Sequence, residues 1–262
     1  MTGTDGTAPS LDLADAAFSY GGPPALSGVT AHARAGDAIA LIGPNGSGKS
    51  TLIKGLLGLV GCVSGTVRVL GESPRDARRR VGLMPQTEEL DPEFPVTLRQ
   101  VVMMGRYRQM GAMRWPSAAD KEAVKQAIDR VGLSGHERRR FGELSGGQQQ
   151  RGILARAIVS GPRILLLDEP FNGLDQTNRD ALLKLVSELR AEGVTIVTST
   201  HDLQLARDVC SHVMLLNKSM IAFGPIASTL TLDKIETTFH GLGVEIDEHT
   251  LTTPDHDHGR HG

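Results

Sequence analysis

Nine consecutive residues have the composition of a loop that binds phosphate groups. Glycines in such a loop let backbone N–H groups close around phosphate oxygens, and the helix that follows adds partial positive charge at its N-terminus. The loop follows the apolar run Ala38 to Ile42 and precedes a helical pattern, the order that a phosphate cradle requires. An ordinary glycine-rich turn is the alternative, but this context predicts a nucleoside triphosphate site. The nine residues are Gly43, Pro44, Asn45, Gly46, Ser47, Gly48, Lys49, Ser50 and Thr51.

Four polar side chains have predicted roles around the phosphates. Lys49 would reach the β- and γ-phosphates, and the Ser50 hydroxyl would ligate Mg²⁺. Asp168 and Glu169 follow the apolar run Ile164 to Leu167, whose C-terminal end would lie beside the ligand in an open α/β sheet. We therefore predict that Asp168 holds the Mg²⁺ shell and that Glu169 orients and deprotonates the attacking water. The alternative is a strand that merely ends in surface acids.

A second helix start could also bind phosphate, about 100 residues after the first. Ser145 and Gln148 match the capping box that begins a helix. The two glycines between them leave the N–H groups of the first turn accessible, so a phosphate could approach closely. The five residues of this motif are Leu144, Ser145, Gly146, Gly147 and Gln148.

Composition limits the class of protein. The chain has 262 residues, 39% hydrophobic and 22% charged, which suits one large α/β domain or one domain with a smaller lobe. A net charge of −2 gives no electrostatic case for nucleic acid, and the arginine clusters 78–80 and 138–140 are interpreted as solvated surface. The N-terminus lacks signal-peptide features, and no apolar run is long enough to cross a bilayer. Cys62 and Cys210 are expected to be reduced and structural, in a cytosolic protein.

Hydrophobic patterning predicts the surrounding elements. Residues 11–18 and 65–71 partly alternate as half-buried strands do, whereas 164–167 and 194–198 are continuous apolar runs typical of buried parallel strands. A crossover helix is predicted before Gly193, and two strands are predicted within 213–223, joined around 217–219. Residues from about 91 to 160 contain helical faces and no convincing strand, so we predict a helical lobe there. We expect the polar, histidine-bearing tail 246–262 to be disordered, after a single domain over 1–245.

The order of these motifs resembles the ATP-binding cassette (ABC) ATPases, whose signature is LSGGQ, over about residues 11 to 225. The resemblance implies an α/β P-loop NTPase with a RecA-like core, an N-terminal antiparallel β subdomain and an inserted helical subdomain. It implies that Tyr20 stacks on adenine, that Gln86 senses both Mg²⁺ and the transport partner, and that Asp175 links two sites. It also implies that His201 contacts the γ-phosphate. The catalytic residues implied in this way are Glu169, His201, Lys49 and Gln86. Ser50, Gln86 and Asp168 would surround Mg²⁺, and the nucleotide would be ATP.

The same resemblance implies partners. Ser145 to Gln148 of one chain would complete the ATP site of a second copy in a head-to-tail dimer. Because this chain has no predicted membrane span, the ATPase would bind integral-membrane permease subunits on the inner face of the plasma membrane. Docking is expected beside Gln86 and the helical lobe. An extracytoplasmic substrate-binding protein would belong to the same system.

The sequence constrains the transported substrate less than it constrains the ATPase activity. The stretch from Leu90 to Tyr107 looks like ATPases of bacterial manganese and zinc importers, and of similar systems for iron chelates. Asn172 stands where many relatives have Ser, which also favours that group. Import of haem or a siderophore, and export, are alternatives. A DNA or ribosome ATPase is disfavoured because only 57 residues separate Gln86 from Leu144, and a scaffold without hydrolysis is disfavoured by the intact catalytic set.

Whether the C-terminal tail binds metal is a separate question. Its histidines and aspartates are suitable zinc ligands, but nothing in the sequence holds them in tetrahedral geometry. A solvating tail and a weak metal-binding tail therefore both stay open. The residues concerned are His249, Asp255, His256, Asp257, His258 and His261.

Overall fold

The computed structural model describes residues 9–86, 95–111, 115–240, 245–246 and 251–252. The strands are β1 (Leu11–Ser19), β2 (Leu26–Ala33), β3 (Ala38–Ile42), β4 (Gly61–Val69), β5 (Val81–Met84), β6 (Ile164–Asp168), β7 (Thr195–Ser199), β8 (His212–Leu216), β9 (Met220–Pro225), β10 (Glu245–Ile246) and β11 (Leu251–Thr252). The helices are α1 (Lys49–Leu56), α2 (Pro74–Ala77), α3 (Leu98–Met104), α4 (Tyr107–Met110), α5 (Ala118–Arg130), α6 (Gly146–Ile158), α7 (Gln176–Ala191), α8 (Leu203–Val209), α9 (Ile226–Thr229) and α10 (Leu232–Phe239). Two 3₁₀ turns cover Arg78–Arg80 and Phe141–Glu143.

A six-stranded sheet forms the centre of the molecule, in the order β5-β6-β7-β3-β8-β9. All neighbouring strands are parallel except β9, which runs antiparallel to β8. Alternate residues of β3 belong to two different cores, Ala38, Ala40 and Ile42 to one and Ile39 and Leu41 to the other. Because both faces of the sheet are covered, β3 at its centre consists of five apolar residues that are all buried.

A smaller antiparallel sheet covers one face of the central sheet. Its strand order is β2-β1-β4, and its inner residues share a core with α1 and one face of the central sheet. Packing between β1 and α1 is close, since a Cβ at Gly55 would lie 2.3 Å from a ring carbon of Phe18. The glycine therefore lets α1, which starts in the predicted phosphate loop, lie directly on β1.

The helices between β5 and β6 form the inserted helical subdomain. Residues 95–111 and 115–160, the described part of this insertion, contain α3 to α6 and no strand, as predicted. Three of the helices begin with capping boxes, at Thr97, Ser117 and Ser145. Their apolar faces join the core on the other side of the central sheet. The start of the predicted lobe, at 91, lies outside the described residues.

Most predicted elements form close to their expected positions, with three corrections. Strands β2 and β5 were not predicted, because β2 mixes polar residues and glycine into its pattern and β5 has only four residues. Arg78 is half-buried rather than solvated, since its guanidinium donates to the carbonyls of Leu57 and Gly58 at 2.7 and 2.9 Å. Both cysteines were expected to be structural, but Cys62 is exposed and only Cys210 is buried in the core.

Only residues 246, 251 and 252 of the tail lie within the described ranges. They belong to a short antiparallel pair, β10 with β11, and the expectation that the tail is disordered stays a prediction. The histidines and aspartates considered as zinc ligands lie outside the described residues. Within the described ranges, no three His, Cys, Asp or Glu side chains are grouped as a metal site. None of the described helices has the length and apolar character needed to span a membrane.

One buried ion pair gives the helical subdomain a testable pH dependence. Arg106 donates to Oδ1 of Asp120 at 3.0 and 2.7 Å, and the Ser117 hydroxyl donates to Oδ2 at 2.6 Å. The hydrogen bond from Ser117 and those from Arg106 lower the pKa of Asp120 to about 2. A lowered carboxyl pKa stabilises the fold above its unfolded value of about 4, and this contribution is lost as the pH falls toward 2.

We therefore expect Asp120→Asn to lower the thermal unfolding temperature at pH 7 and to flatten its dependence on pH between about 4 and 2. Circular dichroism melts over that range measure both effects. Glu122→Gln, on the exposed side of α5, is the matched control and should behave as the unmodified chain does. Equal pH dependence in all three proteins would contradict the role of this pair.

Candidate active site

The predicted phosphate loop joins the end of β3 to α1. Gly48 has φ 106° and Gly46 has φ 76°, conformations that favour glycine. A Cβ at Gly43 would lie 2.1 Å from the carbonyl oxygen of Leu216, so only glycine fits where the loop passes β8. These glycines turn the chain sharply and keep its backbone free of side chains, which is what a phosphate cradle needs.

The Lys49 ammonium lies across this loop. Its Nζ donates to the carbonyl oxygens of Gly43 and Pro44, at 2.7 and 3.0 Å. Burial lowers the pKa of Lys49, and the negative charges of Glu169 and Asp168 partly oppose that shift. A partly desolvated cation beside bare backbone N–H groups suits the β- and γ-phosphates of a nucleotide.

Ser50 and Asp168 meet as predicted. The Ser50 hydroxyl donates to Oδ2 of Asp168 at 3.0 Å, which joins the first turn of α1 to the end of β6. The other carboxylate oxygen accepts a hydrogen bond of 2.6 Å from Ser199 at the end of β7. A hydroxyl and a carboxylate oxygen, side by side, are the hard oxygen ligands that Mg²⁺ prefers, so these residues fit the ion.

Three hydrogen bonds hold Glu169 in place. Ser199 Oγ accepts from its backbone N–H at 2.8 Å, whereas its Oε2 accepts from the side-chain amides of Gln86 at 2.9 Å and Asn172 at 2.6 Å. Its backbone has φ 50°, a left-handed conformation that costs a non-glycine residue about 1–2 kcal/mol. Strain of this kind persists where surrounding contacts impose it, and such positions cluster at active sites. Gln86 therefore lies at the carboxylate of Glu169, and its predicted contact with Mg²⁺ stays a prediction.

His201 follows β7 and lies near the same carboxylate. A cavity of about 60 Å³ is lined by Glu169, Asn172, Ser199 and His201 together with neighbouring residues. This cavity is large enough to hold water. Its position between a carboxylate and an imidazole suits a water that must be deprotonated.

Tyr20 lies at the far end of the phosphate loop. Its ring is 63% exposed, and its hydroxyl lies 3.5 Å from Oγ1 of Thr51 on α1. The Lys54 ammonium lies 5.9 Å from the ring centroid. A largely exposed ring beside α1 could stack on a nucleotide base, the role that the family resemblance implies.

The LSGGQ motif begins α6, as its capping box predicts. Ser145 Oγ accepts from the backbone N–H of Gln148 at 3.3 Å, and the Gln148 amide oxygen accepts from the backbone N–H of Ser145 at 3.0 Å. A Cβ at Gly147 would lie 2.5 Å from the Asn178 side chain, so this helix start packs against α7. Among the described residues, no hydrogen bond joins residues 144–148 to the phosphate loop of the same chain.

Asp175 caps the start of α7 beside that contact. Its carboxylate accepts from the backbone N–H of Asn178 at 2.8 Å and from the Asn178 side chain. The backbone hydrogen bond from Asn178, followed by the bond from its side chain, lowers the pKa of Asp175. The predicted communication residue and the signature helix are thus linked through Asn178.

Two residues beside the carboxylates of Asp168 and Glu169 were not predicted to lie there. Ser199 bridges Asp168 and Glu169, and it is fully buried. Its only sequence signal is a hydroxyl at the C-terminal end of β7, a strand that also contains Thr195 and Thr198. Asn172 was noted as a departure from a common pattern, but its contact with Glu169 depends on the turn after β6.

Comparisons with known proteins agree with this geometry. Residues 26–172 match the ABC transporter family. The manganese transport system ATP-binding protein MntA of Synechocystis is 44% identical over 220 residues, 83% of this chain and 85% of that protein. The zinc transport system ATP-binding protein TroB of Treponema pallidum is 38% identical over 92% of this chain and 91% of its own length. The chelated iron transport system membrane protein YfeB of Yersinia pestis is 45% identical over 79% of this chain and 71% of its own length.

Solved structures give the same result. A chain from a candidate metal-chelate type ABC transporter in an inward-facing conformation has a TM-score of 0.79 at 31% identity, covering 88% of this chain and 89% of its own. An ATP-binding cassette in its ADP conformation has a TM-score of 0.77 at 25% identity, covering 90% of this chain and all of its own. The fold of these cassettes is therefore the fold of this chain.

Proposed function

The chain belongs to the ABC transporter family, and we propose that it hydrolyses ATP to energise the import of manganese or zinc through separate permease subunits. The observation that carries the ATPase role is the meeting of Lys49, Ser50, Asp168 and Glu169 at one edge of the central sheet. The observation that favours these cargoes is the similarity to proteins named for manganese and zinc transport. The protein named for chelated iron supports iron chelates as the second candidate cargo.

We assign the nucleotide contacts as follows. The backbone of residues 43–48 surrounds the phosphates, Lys49 pairs with the β- and γ-phosphates, and Tyr20 stacks on adenine. Ser50 and Asp168, with Gln86, would hold Mg²⁺. When bound, that ion neutralises charge that develops on the phosphate oxygens.

The same assignment covers hydrolysis. Glu169 orients a water in the cavity beside it and accepts its proton, while His201 contacts the γ-phosphate from the end of β7. The Gln86 amide, which donates to Glu169, is placed to link the occupancy of the nucleotide site to the base. Positioning and charge stabilisation, rather than covalent chemistry, would supply most of the catalysis.

The LSGGQ motif is assigned to a second copy of the chain. Its helix start makes no hydrogen bond to the phosphate loop within the described chain, yet its glycines leave N–H groups that could bind phosphate. A head-to-tail dimer would bring it to the γ-phosphate of the partner copy, with Asp175 between the two sites. We propose that ATP closes this dimer and that hydrolysis reopens it.

A permease would dock beside the helical subdomain. A cavity of about 260 Å³ lies where the ends of α1 and α3 approach β5, and its lining includes Leu59, Leu83, Met104 and Arg108. A hollow lined by both apolar and positively charged side chains suits a segment of a partner protein. Docking there would place the chain on the inner face of the plasma membrane, in a system with an extracytoplasmic binding protein and without nucleic acid. Residues Leu90 to Phe94 of the expected docking stretch lie outside the described residues.

Whole-cell metal content tests the cargo. Cells that carry this chain should accumulate manganese or zinc under metal limitation, whereas cells with the Glu169→Gln form should lose that one ion selectively. Elemental analysis of manganese, zinc and iron measures all three together. Selective loss of iron would move the assignment to iron chelates, and unchanged levels of every metal would overturn the assignment of metal import.

A further inference from the structure

We propose that Asn172 is a positioning residue for the general base: its side-chain amide holds the Glu169 carboxylate in the orientation needed for hydrolysis. The proposal rests on the base role assigned to Glu169 above. It adds a residue whose role neither the sequence motifs nor the comparisons supply.

The contact is short and specific. Asn172 Nδ2 donates to Oε2 of Glu169 at 2.6 Å, and Gln86 Nε2 donates to the same oxygen at 2.9 Å. Two amide donors on one carboxylate oxygen leave Oε1 as the oxygen that can accept a proton from water. A hydrogen bond to an ionised group is about twice as strong as a neutral one, so the pair can select one orientation of the side chain.

The loop that carries Asn172 is itself fixed. The backbone N–H of Asn172 donates to the Glu169 carbonyl at 3.3 Å, which closes a turn directly after β6. Gln150 on α6 donates to the carbonyl of Pro170, and Phe171 packs against the core below the helical subdomain. Asn172 therefore reaches Glu169 from a loop anchored on the helix that begins with the LSGGQ motif.

The two donors differ in what else they are placed to do. Gln86 is also assigned to Mg²⁺ above, so its side-chain amide has a second proposed partner besides Glu169. Asn172 lies three residues after the base in a closed turn, and it lines the same small cavity as Glu169 and His201. The Asn172 amide, held in this turn, would therefore keep the Glu169 carboxylate aligned even when the Gln86 amide contacts another partner.

The test compares Asn172→Asp and Asn172→Ser with the unmodified chain in a phosphate-release assay with Mg-ATP. Asn172→Asp keeps the shape but replaces the donor with a second carboxylate, so we expect kcat to fall about tenfold while KM stays within twofold. Asn172→Ser keeps a donor on a shorter side chain, so its kcat should lie between the two. Gln126→Glu is the matched control, because the exposed Gln126 amide donates to Glu122 at 3.1 Å on α5 in a similar contact.

A double variant separates positioning from a general structural role. If Asn172 acts through the base, Asn172→Asp should cause no further loss when it is added to Glu169→Gln. A further loss in that background, or a kcat within twofold of the unmodified chain for Asn172→Asp, would overturn the proposal. If Glu169→Gln itself hydrolyses ATP at the normal rate, the base assignment fails and the role of Asn172 fails with it.

Discussion

Glu169→Gln should lower ATP hydrolysis at least about 100-fold while leaving nucleotide binding intact, because general-base catalysis typically contributes that much or more. The substitution keeps the size of the side chain and its place at the end of β6. It removes the carboxylate that would accept the proton from water. The Gln86 and Asn172 amides, which both donate to Oε2 of Glu169, would then face a neutral group.

Phosphate release under saturating Mg-ATP measures this effect, and a fluorescent ATP analogue measures binding. Glu188→Gln, an exposed change on α7, is the matched control and should hydrolyse ATP normally. Normal turnover by the Glu169→Gln protein would show that another group takes the proton. Loss of binding together with turnover would instead indicate damage to the phosphate site.

Lys49→Ala should abolish hydrolysis by a different route. The Lys49 ammonium is the cation that lies across the phosphate loop, with hydrogen bonds to Gly43 and Pro44. Without this ammonium, the phosphate loop loses its hydrogen bonds from Lys49, and the phosphates lose a charged donor. Hydrogen bonds to charged groups contribute about 1.5–3 kcal/mol each, so ATP affinity should fall about 10- to 100-fold.

Equilibrium binding of the ATP analogue distinguishes this variant from Glu169→Gln, which should still bind. Lys184→Ala, an exposed change on α7, controls for the loss of one positive charge. If Lys49→Ala binds ATP as tightly as the unmodified chain does, the ammonium does not contact the phosphates, and its assigned role is wrong.

The sequence was informative wherever local chemistry determines structure. The phosphate loop needs glycine at Gly46 and Gly48 for positive φ, and β6 begins with four consecutive buried apolar residues because both faces of the central sheet are covered. The capping box at Ser145 likewise fixes the start of α6 through contacts within four residues. Such features can be predicted without knowing the rest of the fold.

Features set by strand register could not be predicted in this way. Ser199 reaches the carboxylate of Asp168 because these residues are register partners in the parallel pair β6 and β7. No local sequence pattern predicts that strand pairing, since the two positions are 31 residues apart. The half-buried state of Arg78 also depends on a distant element, because its guanidinium binds the carbonyls that follow α1.

A complete ATP site is proposed to need two chains, and the mass of the protein in solution tests this most directly. Light scattering gives the mass of the Glu169→Gln protein with Mg-ATP and with Mg-ADP. We predict about twice the 28.0 kDa of one chain with ATP and a single chain with ADP, because ATP would bridge the phosphate loop of one copy and the LSGGQ helix of the other. Ser145→Arg, added to that protein, should prevent the increase. A mass that stays at one chain when ATP is bound would contradict the two-chain site.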